Sequence, residues 1–335
     1  MNKAIRWCNI GKVMNRILEF IDIMLSGIAQ IVLNCNPVCG VLLTAAVFMA
    51  SPVQGISCIW SVLVATLLTY FTGIPAAEAR SGIYTFNPAL IGLAIPLVTH
   101  SLEMAALPRV LLLTAIGSVL TFALVLGIKR LLDKHGAAPL GLPYSIALVL
   151  IGFAANPAVA EAAAGDGFVW TLKSFVEAVL CGAAQIVWLE GVPLVYVAAV
   201  IVLIGVCCAS RIDALMSLLC GTLATGLAII LGADAAGISA GLYGYNAMLL
   251  SYVLFGRTCR MSPGSFAMTI ILTLATVPFA MGLKPLMAAI GAPVAGFPFS
   301  ALGILVMLAK PYKAKLEYIP PRDWTVPEGN HKYQI

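Results

Sequence analysis

The sequence predicts an all-α integral membrane protein with ten transmembrane helices plus re-entrant half-helices, arranged in two inverted five-span repeats. Three observations predict this class: extreme apolarity, long apolar runs and an internal duplication. Hydrophobic residues make up 61% of the chain and charged residues 10%, with a mean hydropathy of +1.02. Soluble domains are about 45–50% apolar and about 25% charged. Because backbone amides in lipid need internal partners and no run alternates like a barrel strand, we expect the spans to be helices.

Three ordered blocks of sequence recur along the chain at nearly constant spacing. The first is GIAQIV over 27–32, which returns as GAAQIV over 182–187, 155 residues later. The other two blocks, G-x-Y-x-[FY]-N-x-x-L and G-x-P-[YF]-S, begin at these glycines: Gly82 and Gly241, then Gly141 and Gly296. Three blocks in one order predict a tandem duplication, with a first repeat over 14–157 and a second over 168–310.

Apolar runs set the expected number of spans in each repeat. In the first repeat the longer runs lie at 14–27, 38–50, 53–73, 108–127 and 141–157. Two shorter pieces lie near 28–36 and 83–98. A helix needs about 20 apolar residues to cross the hydrocarbon layer, and a run of about 10–14 is more often re-entrant. We therefore expect five spans and two half-crossing segments per repeat.

The ends of the chain and the linker complete the predicted organisation. We expect a cytoplasmic N-terminus over 1–13, an external linker over 158–167 and a cytoplasmic tail over 311–335. Because the number of spans per repeat is odd, the second repeat starts from the opposite side of the membrane. With both termini cytoplasmic, 14 of the 19 Lys and Arg residues fall on the cytoplasmic side, which agrees with the positive-inside rule. The outer side keeps these five: Arg80, Arg109, Lys173, Arg211 and Lys284.

Composition and motifs also exclude several classes of function. The sequence shows no His, Cys, Asp and Glu cluster with metal-ligand spacing and no nucleophile and base arrangement, so we predict neither an enzyme nor a metal or cofactor site. The nine cysteines are odd in number and have no paired spacing. The net charge of +5 reflects basic ends at a membrane surface, and we expect no nucleic-acid partner.

The repeated amides Gln30 and Gln185 lie in apolar segments at corresponding positions of the two halves. Short, interrupted segments at such positions indicate the substrate site of a transporter. An amide offers a donor and an acceptor without charge, and neighbouring aromatic residues such as Phe86 and Tyr245 would supply flat walls. This combination predicts a path for a small, planar, uncharged solute that forms hydrogen bonds. The alternative for each amide is a hydrogen bond between helices, which is common in membrane bundles.

The two G-x-Y-x-[FY]-N-x-x-L blocks, the LPYS block over 142–145 and the run from Gln30 to Gly40 resemble the urea transporter family over about residues 17–310. The resemblance implies a bacterial urea channel in the cell inner membrane, surrounded by lipid. It also implies a homotrimer in which each protomer passes urea passively in single file. The positions that match or face the family's pore are the following: Gln30, Leu33, Phe86, Leu90, Gly141, Gln185, Trp188, Glu190, Tyr245, Leu249 and Gly296.

The chain departs from the family pattern at the centre of the pore. Leu33 stands where an aromatic slot residue is common, and Gly141 and Gly296 replace two threonines. The loss of both hydroxyls would remove two acceptors and widen the constriction, which leaves other small amides or ammonia open as solutes. An ion-coupled secondary transporter is the second alternative. Glu190 matches Cys35 in the first half, so the sequence shows no symmetric ion site.

Overall fold

The computed structural model describes residues 2–155, 169–310 and 316–331, with side chains described over 14–151, 169–310 and 316–330. Within these ranges the chain forms helices joined by turns, so the all-helical class is confirmed. The predicted linker over 158–167 lies outside the described residues.

Each half of the chain contributes seven helices within the described residues, and all pairs except α1 and α8 are of similar length. The first half forms α1 (Asn2–Ala29), α2 (Pro37–Ala50), α3 (Pro52–Phe71), α4 (Ala76–Ala79), α5 (Phe86–Val98), α6 (Leu107–Asp133) and α7 (Leu142–Ala155). The second half forms α8 (Leu172–Gln185), α9 (Val195–Ala209), α10 (Arg211–Ile230), α11 (Ala235–Ser239), α12 (Gly244–Leu254), α13 (Pro263–Ala289) and α14 (Phe297–Ala309). The tail adds a short helix, α15 (Pro327–His331). Both α3 and α10 have 20 residues, and both α6 and α13 have 27.

The starts of the matched helices follow from their capping residues. Ser51 precedes α3 and accepts a hydrogen bond from the backbone of Gln54, and Ser210 precedes α10 and accepts one from Asp213. Such side chains satisfy amides that the first turn of a helix leaves without partners. Ser51 is followed by a proline, which suits the first position of a helix. The sequence therefore marks the same boundary in both halves.

Helix length limits the number of complete spans. Among the described residues, α3, α6, α10 and α13 are long and apolar enough to cross a membrane. The pair α1 and α2 is bent by 76° at its break, and it counts as a fifth span only if the two helices are taken together. The apolar helices α5, α7, α9 and α14 are shorter. The ten-span count thus stays a prediction.

The break between α1 and α2 differs from the sequence expectation of a span followed by a separate piece at 28–36. Helix α1 continues to Ala29 and ends in a 3-10 turn over Gln30–Val32, so the two segments form one helix. After the turn, the Cys35 thiol donates to the carbonyl of Ser81. The neighbouring Arg80 pairs with Glu19 of α1 at 3.3 Å. The chain after the break therefore turns back beside the second half of α1, where Ser26 donates to the carbonyl of Cys35.

Two arginines lie at a different end of the molecule from the one the sequence suggested. Arg80 is two residues from Glu78, which pairs with Lys129 near the end of α6 at 3.7 Å. Arg211 opens α10, whose first turn is bound by the tail, and Tyr318 of the tail donates to the carbonyl of Gly136 just beyond α6. Their assignment to the face opposite the basic loops is therefore wrong. Both belong with the basic residues at the end of α6.

The core lies where the two halves meet. Helix α2 of the first half packs along α9 of the second, and α5 and α12 pack against α3 and α10 within their own halves. Helices α5 and α12 are buried along nearly their whole length. These two buried helices carry the repeated aromatic and asparagine residues toward the centre of the molecule.

Candidate functional site

The first part of the site is a pair of matched helix breaks. The segment after α1 ends at Leu33 with φ of 55°, and the segment after α8 ends at Trp188 with φ of 59°. The backbone bonds agree as well, since Asn34 donates to Ala29 and Leu189 donates to Ala184. Residues other than glycine rarely adopt this left-handed backbone conformation. The two breaks turn Leu33 and Trp188 into the centre of the protein, where both are buried.

A second pair of breaks precedes α7 and α14, and each is held by a repeated asparagine. Asn87 donates to the carbonyl of Leu140 at 3.1 Å and accepts from the backbone of Tyr144 at 3.2 Å. Asn246 repeats both bonds with Ala295, at 3.4 Å, and Phe299, at 3.2 Å. Leu140 and Ala295 have φ of 47° and 48°. One amide thus satisfies the carbonyl of the turn and a free amide of the following helix.

The four breaks surround a small cavity between the two halves. Its volume is about 10 Å³, close to the least that holds one water molecule. It is lined by Ile31, Leu33, Phe86, Leu90, Gly141, Tyr144, Gln185, Ile186, Trp188, Tyr245, Leu249 and Phe299. No lining residue is charged. The structure therefore brings together eight of the eleven predicted pore residues at one narrow, uncharged point.

A larger cavity of about 310 Å³ adjoins the small one and forms a vestibule. The two cavities share Gln185, Trp188 and Tyr245. Glu190, a further predicted residue, lines the vestibule together with Lys284. Trp188 and Tyr245 therefore stand between the wider vestibule, which contains charged residues, and the small cavity, which we call the slot.

The wall of the vestibule is stabilised by an ion pair. Lys284 contacts Asp234 at 2.6 Å, and Asp234 also accepts hydrogen bonds from the backbone of Gly237 and the hydroxyl of Tyr243. Partial burial opposes ionisation of Asp234, but the hydrogen bonds from Lys284, Tyr243 and Gly237 outweigh it and hold the pKa of its carboxyl below the usual value. Asp234 is therefore a fixed negative charge beside Lys284.

Two predicted residues lie outside both cavities. Gln30 accepts a hydrogen bond from the Cys35 thiol at 3.4 Å and is only partly buried. Gly296 lies beneath the rings of Phe299 and Tyr144, so that a Cβ added there would come within 2.6 Å of one and 2.9 Å of the other. Gln30 has the same sequence block as Gln185 but different surroundings.

Aromatic side chains lie close to both central glycines. A Cβ added at Gly141 would lie 2.9 Å from both Phe299 and Tyr144, the same rings that cover Gly296. Aromatic side chains fill the space that side chains at these positions would take, and the expected wider constriction stays a prediction. Tyr144 and Phe299 line the slot but were not among the predicted pore residues. Each follows a central glycine by three residues in the repeated block, and this spacing could have identified both as residues of the site.

Among the described residues that line the slot, Gln185 has a buried side-chain oxygen without a hydrogen-bond partner. Gln185 is 3% exposed, and within the described part of the chain its Oε1 atom accepts no hydrogen bond. A buried acceptor left without a donor costs about 1–3 kcal/mol. A group that donates hydrogen bonds from inside the cavity would remove this cost.

Comparisons with known proteins identify the family of this chain. The sequence profile of the urea transporter family matches residues 21–311. The chain is also similar to urea transporter 1 of Ovis aries and of Capra hircus, each 21% identical over 337 residues, covering 95% of this chain and 84% of the relative. Family members are transporters rather than enzymes and act in membranes. The matched segment contains every residue of both central cavities, and the chain belongs to the urea transporter family.

Proposed function

We propose that this protein is a passive, channel-like urea transporter whose solute path runs between the two halves through the small cavity. The path enters by the vestibule, passes Trp188 and Tyr245, and continues between Leu33 and Phe86. Both halves contribute matched residues to its walls. The walls are uncharged and largely aromatic or aliphatic, which suits a neutral planar molecule.

The observation that carries this proposal is the free acceptor of Gln185. Urea presents N–H donors along two edges, and an amide oxygen accepts them without a charge. The solute would satisfy Oε1 as it leaves the vestibule, where Glu190 offers further acceptors. An ion would gain little from this slot, since no lining side chain of the small cavity carries a charge.

We also propose that the two halves are inverted repeats with five crossings each. Contacts of the tail support this arrangement, since they bring the end of α6 and the start of α10 to one face. Helix α10 is the counterpart of α3, whose last residue lies near Glu78 and hence near the same face. Matched helices would then run in opposite directions. Helices α1 and α8 would be re-entrant, and the short helices would complete the crossings with their preceding turns.

Membrane location and assembly are proposed on the charge distribution and on the family resemblance. The face at the end of α6, now including Arg80 and Arg211, would be cytoplasmic in the cell inner membrane, with both termini on that side. The resemblance supports a homotrimer with one path per protomer.

The proposal is tested by replacing Gln185 with leucine, which keeps a similar volume and removes the acceptor. We expect urea flux to fall about fivefold, since one net hydrogen bond is worth about 1 kcal/mol. Flux is measured by stopped-flow light scattering in proteoliposomes, beside formamide, acetamide, ammonia and water. The matched control is Gln30→Leu, which lies outside both cavities and is expected to change flux less than twofold.

Each other outcome identifies a different error. Equal losses in both variants would contradict the difference between the two amides. Unchanged flux in Gln185→Leu would refute the pore assignment. If wild-type protein passes ammonia or acetamide faster than urea, the path carries another solute. Dependence of urea flux on an ion gradient would favour a coupled transporter.

A further inference from the structure

Gln54 is a buried residue outside both cavities that bonds to two walls of the slot. It lies in the first turn of α3 and is 0% exposed. Its Nε2 atom donates to the carbonyl of Leu93 at 2.9 Å and to the carbonyl of Trp188 at 2.8 Å. Leu93 belongs to α5 of the first half, one turn beyond Leu90, and Trp188 belongs to the second half. One side chain therefore ties together two segments that face each other across the slot.

The chemistry of this position is specific to a primary amide. Two carbonyl oxygens converge on one point, and a neutral NH₂ group supplies a separate hydrogen to each. A hydroxyl would supply one hydrogen, and a carboxylate would supply none. The two carbonyl acceptors orient the Gln54 amide with its nitrogen toward them, and within the described residues its Oε1 atom has no partner.

The corresponding place in the second half is occupied differently. With the offset of 159 residues between the α5 and α12 blocks, Gln54 matches Asp213 and Leu93 matches Tyr252. The carbonyl of Tyr252 is bound by Arg257 at 2.6 Å, and Arg257 is held by Asp213 at 2.9 Å. Both halves thus provide a buried donor to the matched carbonyl. The additional bond to a slot residue of the other half is the distinct feature of Gln54.

Trp188 needs such a restraint because of its backbone. It has φ of 59°, a conformation that costs a non-glycine residue free energy and persists when neighbouring contacts enforce it. Its ring lines both the vestibule and the slot. Displacement of its carbonyl would therefore change the gap between Trp188 and Leu90 directly.

We infer that Gln54 is a positioning residue that sets the width of the slot, and hence the selectivity for urea over bulkier amides, by holding Trp188 against α5. This inference rests on the proposed function. Gln54 touches no solute in this arrangement and acts through Trp188 alone. Its effect must therefore disappear when the Trp188 side chain is removed.

The experiment measures the ratio of urea to acetamide flux in proteoliposomes for Gln54→Leu, Trp188→Leu and the double variant. We expect Gln54→Leu to lower the ratio about fivefold, and the double variant to match Trp188→Leu. Gln54→Glu, which when protonated keeps one donor, is expected to lie between wild type and Gln54→Leu. The matched control is Thr66→Val, since Thr66 is equally buried in α3 and lines neither cavity.

The result that overturns the inference is a ratio that stays at the wild-type value in both Gln54 variants. The same holds if Gln54→Leu lowers the ratio equally with and without Trp188. A structural role alone would reduce the yield of protein and the flux of both solutes together, leaving the ratio unchanged. If Gln54→Leu fails to fold, Gln54→Glu alone decides. Failure of the proposed function would appear separately, as absence of urea flux in wild-type protein.

Discussion

At the scale of single residues, the two repeated amides differ because Gln30 lies beside Cys35 and Gln185 lies beside Glu190. Cys35 follows Gln30 by five residues, and its single thiol hydrogen is within hydrogen-bonding distance of the Gln30 amide oxygen as well as of the Ser81 carbonyl. The matched residue in the second half is Glu190, whose ionised carboxylate can only accept. The amide of Gln185 therefore turns its nitrogen to Glu190, and its oxygen has no hydrogen-bond partner among the described residues. Sequence identity of the two blocks could not reveal this difference, because it depends on a residue outside the block.

The central glycines give a prediction at the same scale. We expect Gly296→Thr to reduce urea flux at least tenfold, because its Cβ would lie 2.6 Å from the Phe299 ring and overpacking costs about 1–3 kcal/mol. Phe299→Leu in the same chain should restore part of the flux by making room. Stopped-flow assays of the single and double variants measure both effects, with Gly226→Ala, which has open space, as control. Normal flux in Gly296→Thr would contradict the packing at the slot.

At the scale of elements, the repeated asparagines explain why α7 and α14 begin where they do. The blocks containing Asn87 and Asn246 were recognised from sequence, and the asparagines were assigned no role. Their partners lie about 50 residues later in the chain, so local patterns could not identify them. The matched blocks were nevertheless sufficient to predict the duplication.

Helix boundaries were predictable where local chemistry decides them and less so where packing does. The serine before α3 and the one before α10 set helix starts that any sequence reading can find. The turn that follows Val32 depends on the hydrogen bond between Cys35 and Ser81. The pattern of apolar runs does not show this contact. The predicted face for Arg80 was wrong for the same reason, since apolar runs do not show which segments Glu78 and Arg80 contact.

The two asparagines should differ in importance. The carbonyl of Ala295 accepts from both Asn246 and the hydroxyl of Tyr245, whereas Phe86 is the residue matched to Tyr245 and has no hydroxyl. Asn87→Leu should therefore lower the melting temperature more than Asn246→Leu, by an amount equivalent to about 1 kcal/mol. Thermal unfolding in detergent measures the difference.

The control for this comparison is built into the second half. Tyr245→Phe combined with Asn246→Leu leaves Ala295 as poorly bound as Leu140 is in Asn87→Leu. This double variant should be as unstable as Asn87→Leu. Equal stability of the two single asparagine variants would show that the tyrosine hydroxyl does not compensate.

At the scale of the whole molecule, the tail joins segments that are far apart in sequence. Tyr318 binds the carbonyl of Gly136 in the first half, and Ile319 donates to Thr258 in the second. Glu328 accepts from the Ser210 hydroxyl at 2.9 Å and from the backbone of Ile212 at 3.1 Å, at the start of α10. The sequence predicts a tail over 311–335 but not these contacts, because the surface that the tail binds exists only after both halves have folded.

Glu328 makes the binding of the tail to α10 dependent on pH. Partial burial opposes its ionisation, but hydrogen bonds from the backbone of Ile212 and from Ser210 outweigh that effect and keep the pKa of the carboxyl below its usual value of 4.5. A carboxyl group with a lowered pKa stabilises the fold at a pH above its unfolded pKa and loses that contribution as pH falls through its folded pKa.

Glu328→Gln should therefore reduce stability by about 1 kcal/mol at pH 7, with the difference from wild type shrinking below about pH 4.5. Thermal unfolding across this range measures it, beside Glu317→Gln, whose exposed pair with Arg260 should contribute little. A difference that persists unchanged at pH 3.5 would show that Glu328 acts through packing and that its charge does not hold the tail on α10.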